Sequence, residues 1–346
     1  MRCDPRLALA TLVVALVAAP ASTVTSTAPA AIKLATMAPI GTSYHHVLQE
    51  MGERWRHAPG GGVTLRVFAG GTQGSEVETV TRMRLGQLQA ATLSGGGLME
   101  IDPAVGALQS IPMLFDSLAE HEYVRDRMRA ELDRRLLAKG FVTLFWGDSG
   151  WVHYFSRTAA LRPPDLKPMK IFVTASEGSR SLPIMQSLGY RPVTFEWADA
   201  LTQMETGNID VVPVVPMLAL SGQYYRVMRH MTPLHWTTLV GATVVTRPAW
   251  DALPQETRVE LMAAAADAGI KMTAAGRREN EQAIETMRSR LGVEVHALSP
   301  EVEREWRAMA ESIYPKIRGS MVPADAFDEA RQLVDEYRAA HGSHPR

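Results

Sequence analysis

The chain predicts an α/β protein, with sheet and helices in layers. Short apolar or alternating runs at 32–35, 63–68, 90–93 and 141–146 are separated by segments with apolar residues at helical spacing. That alternation argues for β-α-β units with largely parallel pairing. The length, 346 residues, exceeds one small core and calls for two domains or one large one. With 46% hydrophobic and 21% charged residues, the composition is that of a globular chain, neither disordered nor fibrous.

The elements follow in order. Arg2 and Arg6 flank an apolar run from Leu7 to Ala19, which has the length of a signal-peptide core rather than of a membrane span. Two small-x-small exits follow, Ala19-Pro20-Ala21 and Ala28-Pro29-Ala30, and the second is favoured because a strand at Ile32–Ala35 starts just after it. A retained membrane anchor is the alternative. The single cysteine, Cys3, leaves with a cleaved signal, so no disulfide or multi-cysteine metal site is expected. In Ser43 to His57, Val47, Leu48, Met51 and Trp55 share a helical face. Pro59 to Gly62 turns into the alternating strand Val63 to Phe68. Ser75 is placed to cap a helix from Glu76 to Gln87, Ala90 to Leu93 is a strand, and Ser94 to Gly97 reads as a turn. A charged amphipathic helix, Glu120 to Lys139, precedes the strand Phe141 to Trp146.

Further strands are expected at Val152–Ser156, Met169–Val173, Ile209–Val215 and Gly241–Thr246, and helices at Ser179–Leu188 and Ala198–Glu205. A long helical region runs from Pro254 towards Leu291; Ser299-Pro300 is a cap followed by a first-turn proline; Asp325 to Ala340 is a last amphipathic helix. Residues 341–346 read as a tail.

Charge and motif exclude several functions. With 36 basic and 37 acidic side chains, the net charge of −1 argues against general attraction to nucleic acid or anionic membrane. Neither Gly70-Gly71-Thr72-Gln73-Gly74 nor Gly95-Gly96-Gly97 matches a nucleotide-binding loop, and there is no Gly-x-Ser-x-Gly elbow. His45 and His46 are adjacent and so cannot share a helix face. His121 and Glu122 lie on a highly charged helix and read as solvated, and His230 and His235, flanking a turn, make a weak metal pair. No enzyme, cofactor or metal is expected.

The order of segments resembles the solute-binding proteins of tripartite ATP-independent periplasmic (TRAP) transporters, the DctP-like family, from Ile32 to about Ala340. Leu34 to Thr42 is similar to that family's opening strand and Pro-x-Gly-Thr loop, and Phe68 to Glu76 to its Gly-Gln-x-Gly-x-Glu turn. Ile111 to Phe115 resembles its Leu-Pro-Phe-Leu-Phe segment, and Pro164 to Ile171 its Asp-Leu-Lys-Gly-x-Lys-Ile run. Leu188 to Val193 and Thr206 to Asp210 also match. The resemblance implies a two-domain periplasmic binding protein of type II-like architecture, with a ligand cleft and a long helix spanning both domains. After the signal at 1–30, one domain takes 31–150 and about 241–270; the other takes 151–240 and about 271–340. It further implies a monomer that delivers a small molecule to a membrane permease. A protein that presents its ligand to an envelope sensor is the alternative of another class.

The chain departs from that family where family members hold organic acids. The arginine expected after the Lys-Ile pair is Phe172, a second arginine position is Val152, and the asparagine position is Val214. A charge-assisted contact is worth roughly 1.5–3 kcal/mol, whereas a carboxylate buried against apolar groups pays several kcal/mol. A neutral or hydrophobic ligand is therefore expected. The alternative is an organic acid held by a displaced arginine, Arg157, Arg180 or Arg191, with Arg180 first in line. Trp197 aligns with the family's aromatic residue before the helix ending at Gly207. Tyr44, Trp151, Tyr224, His235 and Trp236 lie on segments that border the cleft in that family, with Met217 extending an apolar wall, and Gln73 and Ser94 are further ligand candidates.

Overall fold

A computed structural model describes residues 30–342. The signal segment read at 1–30, Ala30 apart, and the last residues of the tail lie outside them. Among the described residues, nine strands make one mixed sheet: β1 (Ala30–Thr36), β2 (Val63–Phe68), β3 (Ala90–Ser94), β4 (Phe141–Ser156), β5 (Lys170–Val173), β6 (Arg191–Thr194), β7 (Val211–Val214), β8 (His230–Thr246) and β9 (Glu294–Val295). Their order is β2-β1-β3-β8-β4-β7-β5-β6, with β9 beside β8.

The pairing corrects the expectation of a largely parallel sheet. β1 pairs parallel with β2 and β3, and β5 with β6 and β7, but the centre, β3–β8, β8–β4 and β4–β7, is antiparallel. β4 and β8 are single strands of 16 and 17 residues that cross from one end of the sheet to the other. The sequence suggests two short strands in place of β4 because Gly147-Asp148-Ser149-Gly150 carries turn residues. The chain instead absorbs them as irregularities in register between Asp148 and Trp151, with Gly150 at φ +83°.

Alternation along the strands builds four cores. At the β1–β3 end, Leu34, Ala90 and Val245 face one core while Ala35, Ala91 and Val244 face another. At the β5–β7 end, Phe172, Val212 and Phe155 face one core and Ile171, Val211 and Tyr154 the other. The helix Gln255–Arg290, 36 residues long, serves both ends: Leu261, Ala265 and Met272 pack at the first, Ala283 and Met287 at the second.

Helix starts are set by side-chain oxygens. Thr42 accepts from the His45 N–H before Ser43–Arg56, and Ser299 from the Val302 N–H before Pro300–Ile317. Ser75 and Glu78 cap Glu76–Arg84 reciprocally. Two sequence readings change here. The turn expected at 94–97 is a short helix, Gly95–Met99, capped by Ser94. Its glycines are needed for close packing, since a Cβ on Gly95 would meet Gln109 Oε1 at 2.6 Å. His121 is buried rather than solvated, because it shares the inward stripe of Leu118–Ala138 with Val124, Met128, Leu132 and Leu136.

Candidate functional site

A cavity of about 880 Å³ lies between the two ends of the sheet, with β4 and β8 crossing beneath it. Phe172 at the end of β5 and Val214 in β7 reach its wall together with Val152 of β4. Their convergence follows from the pairing, since His153 is opposite Val214 and Ile171 opposite Val211. The Phe172 and Trp197 rings meet edge to face, centroids 4.7 Å apart, and Trp197 stacks parallel to Tyr224 at 6.4 Å. Tyr154, Trp236 and Trp306 form a second aromatic group, each pair 5.6 to 5.8 Å apart. Met37, Met185, Met217, Met272, Met309 and Met321 also line the space. Unbranched thioethers adapt to irregular shapes.

The opposite wall is more polar. Glu76 accepts hydrogen bonds from the Ser94 N–H at 2.6 Å and the Ser94 hydroxyl at 2.5 Å. Removal from water raises the Glu76 pKa, while the Ser94 bonds work against the rise. Tyr44 and Ser149 share a short hydroxyl–hydroxyl bond, and burial pushes the tyrosine up to about 12. Asp148 is buried, which would raise its pKa, but Arg277 binds it through two nitrogens at 2.8 and 2.7 Å and Arg125 adds a third contact at 3.1 Å. The net result is a carboxyl held below the ordinary range. Among the described residues, no Arg or Lys lines the cavity.

Nine of the residues singled out from the sequence are on the wall: Phe172, Trp197, Val214, Val152, Tyr44, Ser94, Met217, Tyr224 and Trp236. Four are not. Trp151 alternates with Val152 and turns the other way, where it stacks on His235 at 4.3 Å, taking that histidine with it. Gln73 sits within the Gly71–Gly74 turn, against a minor crevice behind β1. Arg180 points to Glu100 Oε1 at 2.8 Å and the Met99 carbonyl at 3.3 Å. Arg157 donates to the Met204 carbonyl, and Arg191 to the Pro168 carbonyl at 3.1 Å. Trp306, Met309 and Glu76 were not singled out. The first two come from Pro300–Ile317, where nothing local distinguishes a cavity face from a core face.

Two lobes of sheet and helix around a cavity, bridged by crossing strands and one long helix, make the two-domain architecture of a solute-binding fold. The family model for bacterial extracellular solute-binding protein, family 7, matches residues 34–319, and the chain belongs to that family, the DctP-like solute-binding proteins of TRAP transporters. It is 23% identical over 272 residues to the C4-dicarboxylate-binding periplasmic protein DctP of Rhodobacter capsulatus, covering 78% of this chain and 80% of that one. Among solved structures, a TRAP periplasmic solute-binding protein from Shewanella oneidensis with bound succinate superposes with a TM-score of 0.81 at 18% identity, covering 89% of this chain and 100% of the other. The sugar acid binding protein DctPAm from Advenella mimigardefordensis, in complex with galactonate, gives 0.81 at 18%, covering 89% and 99%.

Proposed function

We propose that this protein is the periplasmic solute-binding subunit of a TRAP transporter whose cargo is a neutral, largely apolar small molecule. In this reading 31–150 with about 241–270 forms one domain and 151–240 with about 271–340 the other. The domains close on the ligand as a monomer, and the loaded form delivers it to the membrane permease. One observation carries the choice of ligand: Val152, Phe172 and Val214 converge on a wall to which, among the described residues, no Arg or Lys contributes. A carboxylate there would lose hydration worth several kcal/mol without a cationic partner to replace it. The wall's own carboxylates are of the wrong sign for an acid.

An organic-acid ligand is the second reading, favoured by the succinate and galactonate held in the similar structures. Here it would require an arginine to leave its present partners; Arg180 would have to give up Glu100. Native mass spectrometry of protein purified from its own envelope, followed by extraction of the bound molecule, separates the two. A neutral, apolar species is expected. A stoichiometric carboxylic acid would overturn the neutral reading and direct attention to Arg180.

A further inference from the structure

Away from the cavity, three donor side chains meet where β9 lies beside the start of β8. His230 opens β8 and pairs in register with Glu294; His296 follows two residues after Glu294. Residues two apart on an extended chain share a face, and the registered partner lies beside them. The backbone beneath is fixed by the Glu294 N–H on the Arg229 carbonyl at 2.8 Å and the His296 N–H on the Met231 carbonyl at 3.0 Å. The two imidazoles stack, centroids 5.2 Å apart and 16° from parallel, with His230 Nδ1 3.0 Å from His296 Nε2. Glu294 places one carboxylate oxygen 3.4 Å from His230 Nδ1 and the other 3.4 Å from His296 Nδ1. One donor atom from each of the three residues lies within 4.8 Å of the others.

We infer that His230, Glu294 and His296 form a binding site for a divalent transition-metal ion of the zinc type. Two imidazoles and one carboxylate suit Zn²⁺, Co²⁺, Ni²⁺ or Cu²⁺ rather than the all-oxygen shells of Ca²⁺ and Mg²⁺. Zinc–nitrogen bonds of about 2.0–2.1 Å at a tetrahedral angle put two ligating nitrogens about 3.3 Å apart. The facing nitrogens at 3.0 Å need to separate by only a few tenths of an ångström. The histidines are well enclosed, whereas the Glu294 side chain is 64% exposed and has room to turn to the shared side. Three protein ligands leave a fourth position for water. The sequence alone pairs His230 with His235; the fold sends His235 onto Trp151 and brings His296 in from a position 66 residues away. An ion here clasps the segment that leaves the long helix to the first residue of β8, and it is independent of what the cavity binds.

The test uses the full chain without an affinity tag, stripped with chelator, and titrated with ZnCl₂ by calorimetry and with CoCl₂ by visible absorption. One equivalent of metal is expected, with tetrahedral cobalt bands. His230→Ala and His296→Ala should each weaken binding at least tenfold while far-ultraviolet circular dichroism shows them folded. His45→Ala with His46→Ala should bind as the parent does. Substoichiometric binding by the parent would overturn the inference. So would parent-like affinity in both single variants, or loss of binding confined to the 45–46 variant.

Discussion

On the β5–β7 side of the cavity, Phe172, Trp197 and Tyr224 lie ring against ring over Val214. On the β1–β3 side, Ser94 and Glu76 hold one another, while beneath them Asp148 is gripped by Arg277 and Arg125. The first wall offers a ligand contact area. The second offers polar groups whose hydrogen bonds are already made inside the protein. A buried polar group that is satisfied by its neighbours has no unmade hydrogen bond left over.

Breaking the apolar wall should have the largest effect. Phe172 is 2% exposed and belongs to a packed core, so Phe172→Ala should cost about 3–5 kcal/mol in urea unfolding. A loss below about 1 kcal/mol would mean that the ring is held by a ligand rather than by the core.

The next largest lies under the polar side. His121 is wholly buried, neither ring nitrogen has a hydrogen-bond partner, and Asp148 Oδ2 is 4.0 Å from Nδ1. Burial lowers its pKa to about 4, with the Arg125 and Arg277 charges assisting and Asp148 and Asp126 opposing. The unfolded chain takes up this proton near the ordinary 6.5. Stability is therefore held above that pH and lost as pH falls towards 4, by up to about 3 kcal/mol for one such group. His121→Leu should flatten the stability profile between pH 6.5 and 4, checked by calorimetric melting. His153, also lowered to about 4 by burial, supplies an internal control, since its share of the slope should survive.

Smaller effects sharpen the polar wall itself. Ser94→Ala removes a hydroxyl that binds Glu76 and caps Gly95–Met99, a loss of about 1–2 kcal/mol measurable by denaturant titration. For Glu76 the raised pKa sets the sign: its contribution is present below the ordinary carboxyl range and lost as pH rises through the raised value. Glu76→Gln should remove that decline. A steeper decline in the variant would show the carboxylate to be stabilised by its surroundings rather than strained.

Legibility in the sequence followed the range of the interaction. Trp55 on one helical face, Ser75 three residues before Glu78, and the alternation of Val63 to Phe68 are all local, and each element formed where periodicity placed it. Val152, Phe172 and Val214 are reached from the sequence only through the family resemblance, and the pairing of β4, β7 and β5 brings all three to one cavity. His121 was misread because charge on a helix says little about the single stripe turned inward. Trp306 and the His230–His296 meeting depend on which distant segments touch, and no window of sequence contains that information.

The helix Gln255–Arg290 meets β4 at two places where it has no side chain. A Cβ on Gly269 would come within 2.9 Å of Phe145 Cβ, and one on Gly276 would overlap the Tyr44 hydroxyl beside Ser149. At a rise of about 1.5 Å per residue, 36 residues make a rod of roughly 54 Å. The two glycines bring the rod's middle directly against β4. A tilt of about 5° there swings each tip by roughly 2 Å. Any change of tilt about these contacts is therefore magnified towards the rod's two ends.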